Sequence, residues 1–226
     1  MKRDSYGFTL PNQKKDELKR MLEAYAEKAV YPAKKIFLVP GDELRGIYYI
    51  VHGRTRHYVI SMDGSEKILY TLTDGWFYGE SSMILKEPTG LFSQAEEETT
   101  LYIIPYATYR MLLNSNEDFR MAVLENQARK TLMLRHEVEN LSFNSCKERI
   151  KRLFYATADT AHLSDENWYE LKMHYNQQEI SSIIGGARIT TNKLIRELCD
   201  EGFIRIVNRR IQLNVKAYQT EMKGRS

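Results

Sequence analysis

Cysteine is nearly absent from this 226-residue chain, which holds only Cys146 and Cys199. Two distant thiols cannot build a four-thiolate zinc site or hold an iron–sulfur cluster, and they read as reduced, half-buried side chains of a cytoplasmic protein. No segment has the charged-then-apolar form of a secretion signal. No apolar run approaches the ~20 residues of a membrane span, so no membrane partner is expected. The five histidines do not form the His-x-His and following Glu of a β-roll metal enzyme. No nucleophile stands in a pattern with a base, so neither a metal site nor an enzyme is expected. A strong net charge is missing as well: 33 Lys and Arg against 30 Asp and Glu leave +3. The excess is local, since residues 144–226 hold 14 basic and 10 acidic side chains and residues 1–143 hold 19 and 20. Phosphate contacts would need it at that C-terminal end.

The most informative stretch that is present runs from Asn176 to Leu198. Asn176 and Glu179 have the spacing of an N-cap and N3 pair, which predicts a capping box and a helix start. Ile180, Ile183 and Ile184 form a buried stripe, and Gly185-Gly186 permits a tight turn. Leu194, Ile195 and Leu198 give the next helix its own apolar face, leaving Arg188, Thr191, Asn192 and Arg196 largely free. The pattern is a helix-turn-helix whose second helix suits a DNA major groove. An ordinary αα-hairpin is the plainer alternative, and the residues that follow argue against it. Gly202 ends the second helix. Ile204, Ile206, Ile211 and Leu213 then alternate with polar positions about a turn at Asn208-Arg209, which predicts a two-stranded wing.

Upstream, from about Tyr31 to Ile104, short β-branched and aromatic runs are punctuated by Gly41, Gly53, Gly64, Gly75 and Gly79. Turn signals at that interval predict an all-β roll or jelly roll, with Pro105 at its exit. From Glu117 to about Phe143 the period becomes helical. Met121, Leu124, Ala128, Thr131, Leu134, Val138 and Leu141 make one continuous seam, suited to a twin helix, while another part of the circumference packs on the roll. Ser145 and Glu148 predict a second capping box after a break at 142–144, the expected hinge. The expected fold class is α+β: an effector-sensing double-stranded β-roll with an N-terminal helix (1–113), a long dimerisation helix and hinge (114–143), and a winged helix-turn-helix (144–226).

This order of parts resembles the CRP/FNR superfamily of transcription regulators over nearly the whole chain. The blocks that carry the resemblance are Gly41-Asp42, Tyr48-Tyr49-Ile50-Val51-x-Gly53, Asp63-Gly64-x-Glu66, Phe77-Tyr78-Gly79-Glu80 and Gln178-Glu179-Ile180 through Gly185, Arg188, Thr190 and Leu194. The resemblance implies a cytoplasmic homodimer that binds an inverted-repeat operator and RNA polymerase, with a small-molecule effector held between roll and long helix. Cyclic-nucleotide members carry an Arg-Ser pair where this chain has Gly90-Leu91, and a Thr-Ser pair where it has Leu134-Arg135. A buried phosphate without a fixed cation is costly, so a cyclic nucleotide is not expected. The cysteine cluster of the iron–sulfur members is missing. His52, His57 and His136 are candidate haem ligands by residue type, but histidines scattered like this are expected to be solvated, so no haem is expected. Asp63 to Tyr70, Arg149 to Tyr155 and Ile189 are similar to the halogenated-aromatic sensors of halorespiring anaerobes.

The effector pocket is expected from Tyr78, Gly79, Glu80, Ser81, Leu91, Lys130, Leu134 and Arg135, a mixture that suits a small organic or aromatic anion. The candidate DNA-binding residues are Asn176, Gln177, Gln178, Arg188, Ile189, Thr190, Thr191, Asn192, Lys193, Arg196 and Arg209. By the resemblance, Arg188 contacts guanine. Ile189 stands where the family has a Glu that accepts from cytosine, so an A·T pair is expected at that step. Lys193 replaces an Arg and contacts guanine or phosphate with less geometric specificity. Two alternatives stay open: a regulator of the same fold that needs no ligand, and a cupin-like metal enzyme.

Overall fold

A computed structural model describes residues 12–224. The first eleven and last two residues of the expected outer domains lie outside the described residues. Contacts divide the chain into two units, residues 12–59 with 68–136, and residues 60–67 with 137–224.

The first unit contains α1 (Asn12–Glu23), β1 (Glu27–Tyr31), β2 (Ile36–Leu38), β3 (Ile47–His52), β4 (Arg54–Ile60), β5 (Glu66–Thr73), β6 (Phe77–Tyr78), α2 (Glu80–Leu85), β7 (Phe92–Ala95), β8 (Thr99–Ile104), α3 (Tyr106–Ser115) and most of α4 (Glu117–Phe143). Its strands form two four-stranded sheets, ordered β1-β8-β3-β6 and β2-β7-β4-β5. The period-two alternation of a strand sends β3 side chains to two different cores. Ile47 and Tyr49 pack with Leu22, Tyr109, Phe119 and Val123, while Tyr48 and Ile50 pack with Leu38, Leu72, Trp76 and Tyr78. One core therefore lies beneath the helices and the other inside the roll.

One helix of this unit is unexpected. Pro105 follows the last strand of the roll, as expected, and is also the N-cap of α3, a helix that the sequence pattern did not predict and that buries Tyr109 and Leu112. Proline suits a helix start because it lacks an N–H and its φ is already near helical. Asn116 then accepts a hydrogen bond from the Phe119 N–H at 2.9 Å and opens α4. On α4 the spacing of burial is double. Phe119, Ala122, Val123, Asn126 and Lys130 are buried. Met121, Leu124, Ala128, Thr131, Leu134, Val138 and Leu141, the seam read from the sequence, are all exposed.

The second unit contains α5 (Cys146–Thr157), β9 (Ala158–Asp165), β10 (Trp168–Leu171), α6 (Gln177–Ile184), α7 (Arg188–Asp200), β11 (Ile204–Val207), β12 (Arg210–Asn214) and α8 (Val215–Gly224). Ile150, Phe154, Ile180, Ile195, Leu198 and Leu213 form its core with neighbouring apolar side chains. The expected two-stranded wing is a four-stranded sheet, ordered β11-β12-β10-β9. Sequence reading misses β9 because its residues after Asp159 are exposed and mostly polar, so no apolar alternation betrays the strand. Both cysteines are free and half-buried.

Caps fix the α6–α7 geometry. Asn176 accepts from the Glu179 N–H at 2.9 Å and Glu179 accepts from the Asn176 N–H at 2.8 Å, the capping box the spacing predicts. Gly185, at φ 65°, ends α6 in the left-handed conformation. After α7, the Gly202 N–H bonds the Cys199 carbonyl and the Phe203 N–H bonds the Leu198 carbonyl, each at 3.0 Å. That is a Schellman closure, which turns the chain directly into β11.

Candidate effector site and nucleic-acid interface

The interior of the first unit holds a buried ion pair. Glu80 is the first residue of α2, directly after Gly79, whose φ of 91° is one that side chains rarely adopt. Lys130 projects from the buried face of α4, and its ammonium donates to both Glu80 oxygens at 2.9 Å. The side chains retain only 2% and 9% of their exposure. One turn earlier on α4, Asn126 accepts from the Phe77 N–H at 3.1 Å, so the helix grips the strand that carries Tyr78 and leads into Gly79 and Glu80.

Around the pair stands a polar and aromatic lining. His57 on β4 is fully buried, with Nε2 3.0 Å from the Thr55 hydroxyl and Nδ1 3.0 Å from the Ser93 hydroxyl. Burial, with the Lys130 charge as a smaller cause, pushes its pKa down to about 3, so the ring is neutral. Its ring centroid lies 4.5 Å from that of Tyr78 and 5.2 Å from that of Tyr70. The Tyr78 phenol is held well above its ordinary range by burial. Tyr70 is also raised, first by burial and then by the charge of Glu80.

Of the expected effector residues, the structure buries Glu80, Lys130 and Tyr78 and half-buries Gly79 and Leu91. Ser81, Leu134 and Arg135 are exposed, the last two on α4. These three are a correction to the expected pocket: in the single chain they lie at the surface and do not line the buried pair. His57 is a second correction. It is not solvated, because the strand alternation that buries Thr55 carries position 57 inward as well. Thr55, Ser93 and Tyr70 escaped the sequence reading because they lie on separate strands, and only the pairing of β4 with β7 sets Ser93 opposite His57.

The second unit presents its own surface. Arg188, Ile189, Thr190, Lys193 and Arg196 are exposed on α7, with Ile189 at 86% of its full exposure. Asn192 is half-buried. Thr191 is a correction: its exposure is 0%, because it stands four residues before Ile195 on the same inward stripe. Gln177 and Gln178 are exposed at the start of α6, whereas the side-chain oxygen of Asn176 is committed to the capping box. Arg209 is exposed at the tip of the wing.

A β-roll with a buried polar interior, a long helix with an exposed apolar seam and a winged helix-turn-helix together define a DNA-binding transcription regulator with an effector-binding domain. The cyclic nucleotide-binding domain family matches residues 28–116 and the Crp-like helix-turn-helix domain family matches residues 148–217. The chain belongs to the CRP/FNR family. It is 26% identical over 176 residues to the cAMP-activated global transcriptional regulator CRP of Pasteurella multocida, covering 77% of this chain and 83% of that one. Its fold is similar to that of the c-di-GMP responsive regulator CLP of Xanthomonas campestris, at a TM-score of 0.77 and 18% identity, covering 88% of this chain and 98% of the other. A structure of OCPA-complexed CprK matches at a TM-score of 0.70 and 22% identity, covering 93% of each chain. Among the described residues no helix is long and apolar enough to cross a membrane, and no three His, Cys, Asp or Glu side chains are grouped to hold a metal ion.

Proposed function

We propose that this regulator works as a homodimer whose operator affinity is set by a small organic, aromatic anion bound in the roll beside Lys130. The observation that carries the reading is the Glu80–Lys130 pair: a cation buried among Tyr70, Tyr78 and neutral His57, held by an internal carboxylate that an incoming anion could replace. Gly90-Leu91 supplies no cation for a cyclic phosphate, so the effector differs from that of the cAMP-activated relatives. The likeness to OCPA-complexed CprK supports an aromatic acid as the first class to try. Calorimetric titration with chlorinated phenols and phenylacetates, against cyclic AMP and cyclic GMP, tests this. Saturable binding of the aromatic acids alone is expected, and saturable binding of a cyclic nucleotide would overturn it.

A second reading has its own support. Glu80 already satisfies Lys130 at both oxygens, as an internal plug would, and such a protein would bind DNA with no effector. Operator affinity of the purified protein, measured with and without a small-molecule cell extract, separates the two. Invariance favours the plug.

On DNA, Arg188 reads guanine and Ile189 packs on a thymine methyl, with Thr190, Asn192, Lys193, Arg196, Gln177 and Gln178 bonding base edges or phosphates. Dimer symmetry gives inverted half-sites about one helical turn apart. Selection from random DNA tests the arrangement, and retention of a G·C pair at the Ile189 step counts against it.

A further inference from the structure

The wing tip carries a strain that the isolated protein does not use. Val207 pairs with Arg210, so the turn between β11 and β12 consists of Asn208 and Arg209 alone, and both have positive φ, 49° and 63°. Such a type I′ hairpin matches the twist of its strands and favours Asn followed by Gly. Asn208 fits this preference. Arg209 does not, since a side chain in the left-handed region is strained.

Nothing in the described structure offsets that cost. Arg205 lies over the Trp168 ring at 4.7 Å and pairs with Asp165, and Arg210 pairs with Glu170 at 3.3 Å. Among the described residues Arg209 has no ion pair or hydrogen bond, and it is exposed. Beside it, Ile206 and Val207 leave 48% and 39% of their surfaces open. The wing thus ends in a guanidinium on a two-residue point with apolar shoulders, at the far end of the strand that follows the recognition helix. A phosphate contact could be made by any flexible basic side chain and needs no strained backbone. A narrow tip with apolar flanks and a planar cation suits the minor groove, whose A·T tracts are narrow and attract arginine.

The geometry points to Arg209 as a second sequence-reading element, inserted in the minor groove flanking each half-site and selective for A·T pairs there. This rests on α7 binding the half-site itself. The test uses the full-length protein and an operator selected from random DNA, rebuilt with either A·T or G·C flanks. Wild type is expected to prefer A·T flanks by about tenfold, within the range a specific base contact supplies. Arg209→Ala and Arg209→Gly should lose that preference while still distinguishing the selected half-site from scrambled DNA. Arg209→Gly should also melt no lower than wild type, because glycine accepts the left-handed turn. If the variants weaken binding equally on both flanks, with a salt slope reduced by about one, Arg209 contacts phosphate only and the proposal is overturned. Unchanged affinity overturns it too. Failure of wild type to tell the selected half-site from scrambled DNA instead refutes the half-site reading on which it rests.

Discussion

The ammonium of Lys130 lies 2.9 Å from each oxygen of Glu80, and both groups are withdrawn from water. Moving two charges inward costs several kcal/mol, which their attraction offsets only while both are present. Removing one partner leaves a buried charge without compensation. Lys130→Met and Glu80→Gln should each lower the unfolding free energy by about 3–5 kcal/mol, and the double variant Glu80→Leu/Lys130→Met should recover most of it. Urea unfolding of the four proteins checks this, and additive losses in the double variant would show that the two side chains act independently.

His57 makes a pH prediction of definite sign. Its ring is neutral in the folded protein down to about pH 3, against an ordinary value of 6.5. Above pH 6.5 neither folded nor unfolded chain holds the proton. Below it the unfolded chain gains one that the folded chain refuses, so stability falls as pH drops toward 3, by up to about 1.4 kcal/mol per unit. The two rings that face His57, Tyr70 and Tyr78, are held above their ordinary range and add no charge change in that window. Unfolding measured from pH 7 to 4 in wild type and His57→Gln should diverge by that slope. Parallel curves would place the ring's ordinary pKa in the folded state.

These interior groups also mark how far the sequence could be read. The helix-turn-helix was legible because each of its determinants is local: the Asn176–Glu179 box, Gly185, Gly202 and the isoleucine stripe all lie within one or two helical turns. Tyr78, Gly79 and Glu80 were found through one motif block, and Lys130 through its place on the long helix. The lining of Thr55, His57 and Ser93 was not, because no period within β4 says which strand pairs with it across the roll. Thr191 failed for the opposite reason: position alone placed it beside Asn192, but the 3.6-residue period turns it to the core. Strand β9 was invisible because an edge strand with exposed polar residues has no pattern to detect.

The exposed seam of α4 predicts the assembly. Leu124 and Val138 leave 55% and 63% of their surfaces open in one chain, two heptads apart on the same stripe. Leu124→Glu/Val138→Glu should therefore leave the fold intact and shift the protein to monomer in sedimentation. Operator affinity should fall about a hundredfold, the order of gain that linking two half-site contacts supplies. A double variant that still sediments as a dimer would move the interface off this seam.

Ile189 is the residue that should set this protein's own operator. It is 86% exposed at the second position of α7, so substitution there changes what the helix presents without disturbing the core. A branched hydrocarbon can pack on a thymine methyl but offers no acceptor to the exocyclic amine of cytosine, whereas a glutamate does the reverse. Ile189→Glu should exchange the preferred pair at that step from A·T to G·C by about tenfold, with the melting temperature unchanged. Arg188→Ala should instead cost about 1–3 kcal/mol on the preferred operator and relax the guanine requirement next to it. Competition binding on operators differing only at the two steps resolves both effects. If Ile189→Glu weakens both operators alike, the side chain meets the phosphate backbone and the base preference is read by its neighbours on α7.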